Sequence, residues 1–195
     1  KDNKIIFVER LSTDQSKTEL EYVVGFKTVF ELYGIKETDI KGAIISSVVP
    51  AVGKSLSSAV SKLCHIVPLM LGPGVKTGLN IKIDNPAQLG SDLVVDAVAG
   101  TAEYPVPQII IDMGTATTYS VIDNKKNYIG GMITTGMAVS TDALIGRTAQ
   151  LPKIAFDTPK RLLGKNTVEC LQSGIMYSTA CSIDGMIERI EDELG

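Results

Sequence analysis

The residues best suited to chemistry lie in one stretch, residues 109–123, which reads IIIDMGTATTYSVID. Three isoleucines lead into Asp112 and an apolar-polar run follows, so we predict a buried strand, a tight turn and a second strand. Asp112 places a carboxylate at the strand end, and Gly114 lets the backbone approach a ligand closely. The threonines add hydroxyl donors. This chemistry suits a phosphate and cation site, although a plain hairpin turn explains so short a motif equally well.

A second carboxylate, Asp92, follows Gly90 and Ser91 and precedes a predicted helix over residues 93–103. At the start of a helix, an aspartate is first of all a candidate N-cap. The preceding loop-rich segment, residues 72–89, is long for a simple connection, and such loops are often functional. From these residues alone, capping is the better explanation of Asp92.

Glycines mark the strand predicted after the hairpin, over residues 128–133. Gly130, Gly131 and Gly136 are more than a strand needs if it only packs. Either they form a bulge and a turn, or they bring backbone amides close to a phosphate. A helix is predicted to follow over residues 140–151.

The other periodic segments indicate an α/β fold, because strands and helices alternate along the chain. The spacing of apolar residues predicts strands at residues 4–10, 43–49 and 66–71, and helices at 18–33 and 53–64. The longest helix runs from Thr167 to about Leu194, with Asn166 and Glu169 forming a capping box. Gly174 and Gly185 within it suggest close contact with another helix, which could belong to a second subunit.

Composition limits the function classes. The chain has 195 residues, enough for one domain or two small ones, and a net charge of −3. This charge gives no electrostatic reason to expect a nucleic acid or an anionic membrane as partner. The three cysteines and the single histidine, His65, lack the spacing of a metal site. We therefore expect free cysteines in a reducing cytosol and a cytoplasmic protein.

Several ordered motifs together resemble the type III pantothenate kinases, within the superfamily of acetate and sugar kinases, heat-shock proteins and actin. The matching segments are RLSTDQSKT (10–18), IISSVVP (44–50), GPGVKTGLNIK (72–82), NPAQLGSD (85–92), IDMGTATTYSVID (111–123), YIGGMITTGM (128–137), RTAQLPK (147–153) and GKNTVECLQSGI (164–175). The resemblance implies two RNase H-like, actin-like ATPase domains of an α/β fold that flank a nucleotide cleft. They would cover residues 1–107 and 108–195, the second carrying the dimer helix.

The resemblance also implies roles for individual residues. The family phosphorylates pantothenate with ATP in the first step of coenzyme A synthesis, using Mg²⁺ and a monovalent cation, K⁺ or NH₄⁺. Asp92 matches the carboxylate that accepts the proton of the pantothenate hydroxyl, and Asp112 matches the acidic residue near the phosphates and the cation. Thr167 matches a residue that reaches pantothenate across a homodimer interface. Substrate-binding positions are Gly90, Ser91, Asp92 and Thr167, and phosphate-binding positions are Gly114, Thr115, Thr117, Thr118, Gly131 and Gly136.

Four departures from the family pattern bear on function. The family's first strand, with Asp-x-Gly-Asn-Thr, would precede residue 1, and a Thr-Gly-Gly motif would follow residue 195, so we expect the fold to be incomplete at both ends. Residues 1–195 alone are then expected not to turn over ATP. Leu93 replaces an arginine that helps hold pantothenate, and Ile83 replaces a tyrosine. A degenerate accessory or regulatory paralogue, or a kinase of another small hydroxyl compound, is the alternative.

Overall fold

A computed structural model describes residues 4–72 and 74–195 and has the expected mixed α/β character. Its helices and strands, in chain order, are α1 Glu19–Tyr33, β1 Ile44–Ile45, α2 Pro50–Cys64, β2 Leu69–Met70, β3 Asn80–Ile81, α3 Ser91–Glu103, β4 Gln108–Met113, β5 Ala116–Ile122, β6 Asn127–Thr135, α4 Met137–Gly146 and α5 Thr167–Leu194. Short 3-10 turns lie at Glu37–Asp39 and Pro86–Gln88. In the described part of the chain, no helix is both long and apolar enough to cross a membrane.

The chain divides into two compact units. Unit 1 comprises Lys1–Leu79 and Asp84–Ala99, and unit 2 comprises Asn80–Ile83 and Gly100–Gly195. The domain boundary placed between residues 107 and 108 from the sequence stays a prediction.

Unit 1 is built on a pair of packed helices. α1 and α2 bury Tyr22, Val52 and Ala59 between them, and β1 pairs in parallel with β2. The Thr18 hydroxyl caps α1 by accepting from the Glu21 amide, and Gly34 ends the helix in the left-handed conformation with φ 64°. Both signals are local, and the predicted helix over residues 18–33 is confirmed.

Unit 2 contains a four-stranded sheet in the order β3-β6-β5-β4. β4, β5 and β6 form an antiparallel meander, and β3 lies parallel to β6. One face is covered by α5, whose Ile183, Met186 and Ile190 pack on Tyr119 and Val121. The predicted strand, turn and strand over residues 109–123 are confirmed.

The start of α5 uses a modified version of the predicted capping box. The Asn166 side chain accepts from the Glu169 amide at 2.9 Å, as expected. The Glu169 carboxylate, however, accepts from the amide of Lys165 at 3.0 Å, one residue before the N-cap. The predicted helix from Thr167 to Leu194 is confirmed.

Other element boundaries were wrong. Residues 4–10 form no strand, and no described strand pairs with them, so their ladder hydrogen bonds are not made. The strands predicted at 43–49 and 66–71 shrink to the two-residue β1 and β2. α2 begins earlier than predicted because Pro50 suits the first helical position. α4 is displaced toward Gly136, its N-cap, and ends at Gly146 rather than residue 151.

Candidate active site

The β4–β5 hairpin presents a free carboxylate opposite an unpartnered hydroxyl. Asp112 pairs in register with Thr118 across the two strands. Side chains directly opposite each other in such a ladder lie about 5 Å apart at their β-carbons. The Asp112 side chain is exposed and its carboxylate makes no hydrogen bond within the described residues, whereas the Thr118 hydroxyl is buried there without a partner. Buried polar atoms are rarely left unpaired, so a ligand or water partner is expected for Thr118.

The hairpin turn is held against the start of α4. The Gly114 amide donates to the Ala116 carbonyl at 2.9 Å, and the Gly136 amide donates to the Thr115 carbonyl at 3.0 Å. A β-carbon on Gly136 would collide with the carbonyl oxygens of Gly114 and Thr115, so only glycine permits this approach. The structure thus brings together the predicted residues Gly114, Thr115 and Gly136.

Two other predicted phosphate residues lie within the sheet. Thr117 is buried and pairs with Met113 and Thr134. A β-carbon on Gly131 would meet the Tyr119 carbonyl and the Tyr128 hydroxyl. Gly131 therefore has a packing reason of its own, and a phosphate role for these two residues stays a prediction.

Asp92 lies inside the first turn of α3, since the helix begins at Ser91. The N-cap interpretation of Asp92 was therefore wrong. Its exposed carboxylate accepts a hydrogen bond from the neighbouring Leu93 amide at 2.9 Å. A β-carbon on Gly90 would meet this carboxylate, so glycine keeps the space beside it open. Gly90, Ser91 and Asp92 lie together at the start of the helix, where Asp92 is exposed and the other two are partly buried.

Ser46 belongs to this group and was missed from the sequence. It follows β1, and its hydroxyl donates to the Ser91 hydroxyl at 3.0 Å. In α/β folds, ligands bind outside the carboxyl ends of parallel strands. A serine pair directly after the AII run was the signal that could have identified it.

Thr167, the remaining predicted substrate residue, is the first residue of α5. Its side chain is exposed and makes no hydrogen bond to any described residue. The structure of a single chain gives it no partner among the other predicted site residues.

The carboxylates with structural roles differ from Asp92 and Asp112. At the β5–β6 turn, the Asn127 side chain donates to Asp123 at 2.7 Å, and this bond, with the backbone amides of Asn127 and Lys125, lowers the pKa of Asp123. The salt bridges of the described residues are Lys62–Glu19 and Arg161–Glu169. Neither Asp92 nor Asp112 belongs to one, so both carboxylates are available to a ligand.

The described residues could contribute to binding a metal ion that is also held by a nucleotide's phosphates. They contain no group of three or more His, Cys, Asp or Glu that could hold an ion alone. Mg²⁺ commonly binds through one or two carboxylates together with substrate phosphates, and Asp112 offers one. His65 serves another purpose, because it ends α2 in the left-handed conformation with φ 56°.

A cavity of about 550 Å³ in unit 2 is separate from these residues. Ile109, Val121, Ile190 and Leu194 line it, and none of the predicted site residues does. Its walls are largely apolar, which does not suit a phosphate.

Comparison with known proteins agrees with the motifs. The family model described as type III pantothenate kinase matches residues 1–189. A type III pantothenate kinase of Halalkalibacterium halodurans is 44% identical over 190 residues, covering 97% of this chain and 75% of the relative. A protein of the same name from Bacillus cytotoxicus is 46% identical over 184 residues, covering 94% and 70%. By the matched length and by these identities, the chain belongs to the type III pantothenate kinase family.

Proposed function

We propose that this kinase transfers the γ-phosphoryl group of ATP to the primary hydroxyl of pantothenate, the first step of coenzyme A synthesis. The observation that carries the proposal is the free Asp92 carboxylate. It lies exposed in the first turn of α3, paired with no basic side chain and given room by Gly90. The names of both relatives agree with this substrate.

In this reaction Asp92 accepts the proton of the pantothenate hydroxyl as its oxygen forms a bond to the γ-phosphorus. The bond between that phosphorus and the bridging oxygen breaks, and ADP leaves. Phosphoryl transfer passes through a loose transition state, so positioning and charge neutralisation dominate. A nearby carboxylate is sufficient as proton acceptor.

The β4–β5 hairpin carries the residues that we propose bind the phosphates of ATP. The turn at Gly114 and Thr115 brings backbone close to the phosphates, and the unpartnered Thr118 hydroxyl supplies a donor. Asp112 would hold Mg²⁺, which neutralises charge on the transferred group when bound. A monovalent cation, K⁺ or NH₄⁺, completes the cofactors that we propose.

Three further features remain proposals. We expect a homodimer in which Thr167 serves the partner's substrate site. We also expect the two units to correspond to RNase H-like domains of the actin-like superfamily. A cytoplasmic location suits an enzyme that consumes ATP.

The test is a coupled assay of ATP turnover with and without pantothenate on the full-length protein, because residues 1–195 alone are expected not to turn over ATP. Asp92→Asn should lower kcat roughly 100-fold or more, because general base catalysis contributes about that much. Its melting temperature should not change, since the side chain is exposed and an amide oxygen can still accept from Leu93.

The matched control is Glu103→Gln at the other end of α3, which removes an equally exposed carboxylate. It should retain wild-type turnover. A wild-type rate in Asp92→Asn would remove Asp92 from the mechanism, and pantothenate-independent turnover would exclude pantothenate as the substrate.

A further inference from the structure

Two neighbouring serines after β1 differ in how their hydroxyls are used. The Ser47 hydroxyl donates to the Val49 carbonyl at 3.0 Å and accepts from the Val49 amide at 3.2 Å. It is therefore committed to the turn that leads into α2. Ser46 is exposed, and its hydroxyl donates at 3.0 Å to the hydroxyl of Ser91, which lies 45 positions along the chain. The local turn explains Ser47, but it does not explain Ser46.

The segment that follows β1 lies beside the start of α3 within unit 1. A β-carbon on Gly90 would lie 3.7 Å from the Val48 side chain, and it would also meet the Asp92 carboxylate. The hydrogen bond between Ser46 and Ser91 is a second contact between the same two segments. Together these contacts hold the end of β1 close to the carboxylate that we propose as proton acceptor.

The direction of this hydrogen bond decides which hydrogen remains free. A serine hydroxyl has one hydrogen to donate and two lone pairs that can accept. Ser46 donates its hydrogen to Ser91, whose own hydrogen is donated to no acceptor among the described residues. A hydroxyl that already accepts a hydrogen bond becomes a better donor, because the bonds of a chain polarise one another. Ser91 therefore offers a polarised donor at the start of α3.

The Asp92 carboxylate next to this donor has one oxygen in use. Its Oδ1 accepts from the Leu93 amide at 2.9 Å, whereas Oδ2 accepts from no described residue. Ser91 and Asp92 are consecutive, so their α-carbons are only about 3.8 Å apart. The start of α3 thus offers a hydrogen-bond donor and a proton acceptor on adjacent residues.

A donor beside a proton acceptor suits a compound with two oxygens close together. In pantothenate, three carbons separate the primary hydroxyl, which is phosphorylated, from a secondary hydroxyl. The amide oxygen and the carboxylate lie farther along the molecule. When Asp92 accepts the proton of the primary hydroxyl, the secondary hydroxyl is therefore the nearest oxygen to which Ser91 can donate.

We propose that Ser46 is a positioning residue for the acceptor compound, because it orients the Ser91 hydroxyl to donate to the secondary hydroxyl of pantothenate. This inference rests on the proposed function and adds a residue that recognises the substrate through another side chain. Since Ser46 acts only through Ser91, it contributes nothing to binding once the Ser91 hydroxyl has been removed.

Steady-state kinetics of the full-length protein test this role with Ser46→Ala, Ser91→Ala and the double variant. We expect KM for pantothenate to rise about tenfold in Ser91→Ala and about threefold in Ser46→Ala, the range expected for one neutral hydrogen bond. The double variant should equal Ser91→Ala, because residues that act through one contact are not additive. The values of kcat and of KM for ATP should match those of the wild type, since only ground-state binding of the acceptor is weakened.

Two further measurements separate positioning from a structural effect. In an analogue of pantothenate whose secondary hydroxyl is replaced by hydrogen, Ser91 has no oxygen to which it can donate. Wild type and Ser91→Ala should therefore share one KM for this analogue. Ser46→Thr keeps a hydroxyl at an exposed position, so it should retain a KM for pantothenate close to that of the wild type.

Ser47→Ala is the matched control, because it removes the neighbouring hydroxyl that serves the turn into α2. Its melting temperature should fall while its KM for pantothenate stays unchanged. Ser46→Ala should show the opposite pattern, with a raised KM and an unchanged melting temperature. An equal rise of KM in Ser47→Ala would show that any disturbance of this turn affects the site, and would overturn the role given to Ser46.

The remaining outcomes also decide the question. Additive effects in the double variant would show that Ser46 contacts the substrate itself. An unchanged KM in Ser91→Ala, or a KM for the deoxy analogue that still rises in this variant, would remove the contact with the secondary hydroxyl. Wild-type turnover that requires Asp92 but is insensitive to both serines would overturn this inference alone, whereas absence of pantothenate-dependent turnover in the wild type would overturn the proposed function as well.

Discussion

At the residue scale, two glycines of the proposed site differ in the atoms that a β-carbon at each position would meet. A β-carbon on Gly90 would meet the Asp92 carboxylate, which can rotate away. We therefore expect Gly90→Ala to lower kcat by displacing the proton acceptor while leaving the free energy of unfolding nearly unchanged. Steady-state kinetics and urea denaturation of the same preparation check both statements.

Gly136→Ala is the comparison, because its β-carbon would meet backbone carbonyls of Gly114 and Thr115 that cannot rotate away. Overpacking of this kind costs about 1–3 kcal/mol of stability. If Gly90→Ala were the less stable of the two variants, or retained full kcat, the role given to Gly90 would be wrong.

Replacing Thr118 is expected to affect stability and ATP binding in opposite directions. Its buried hydroxyl has no partner among the described residues, so Thr118→Val removes an unsatisfied group with little change of shape. Unfolding should cost the same or up to ~1 kcal/mol more, whereas KM for ATP should rise because a phosphate donor is lost. Thr134→Val, on the exposed part of β6, should leave KM unchanged. An unchanged KM in Thr118→Val would count against a phosphate contact.

At the element scale, the first turn of α5 depends on an ionised Glu169. The hydrogen bond from the Lys165 amide and the nearby Arg161 charge lower the pKa of Glu169 below its ordinary value of 4.5. A lowered pKa means that the stabilisation is complete above the ordinary value and is lost as pH falls through the folded value. The stability difference between wild type and Glu169→Gln should therefore be greatest at neutral pH.

Urea denaturation of both proteins between pH 7 and pH 3 measures this difference, which should shrink below about pH 4.5. Asn166→Ala, which removes the N-cap acceptor, should cost about 1 kcal/mol at neutral pH. A difference for Glu169→Gln that grows toward low pH would contradict the sign of the shift.

Elements with local signals were predictable from the sequence, and those without were not. α1 and α5 have side-chain caps and periodic apolar faces, and the β4–β5 hairpin has a run of isoleucines and a turn at Gly114. By contrast, the two-residue strands β1 and β2 depend on pairing over a distance in sequence. The start of α3 was misplaced because Gly90 and Ser91 carry weaker signals than the apolar run that follows.

The residues of the candidate site likewise divide into those with a local sequence signal and those without one. Asp92 and Asp112 were identified from motifs, and the structure shows both without salt-bridge partners. The serine pair after the AII run marks Ser46, but its contact with Ser91 joins residues 45 positions apart and does not follow from local sequence. The need for glycine at position 136 likewise arises from the backbone of another strand pair. Local sequence motifs identify the candidate reactive residues, whereas contacts between residues distant in sequence decide which atoms surround them.

At the scale of the whole molecule, Leu93 bears on substrate recognition. The resemblance places an arginine at this position, where a guanidinium could pair with the carboxylate of pantothenate. We expect the absence of such a pair to weaken binding by about 2 kcal/mol, or roughly 30-fold in affinity. The hydroxyls of Ser46 and Ser91 remain as polar groups at the start of α3. We therefore regard weak pantothenate binding as compatible with an intact proton acceptor.

Removing metal ions distinguishes a cation that binds with the nucleotide from one that stabilises the fold. Among the described residues, no group of three or more His, Cys, Asp or Glu could hold a metal ion. We expect EDTA to abolish ATP turnover without changing the melting temperature, and excess Mg²⁺ to restore the rate. Asp112→Asn should need more Mg²⁺ for half-maximal rate, because one anionic oxygen is lost. A melting temperature that falls in EDTA would instead indicate a resident structural ion.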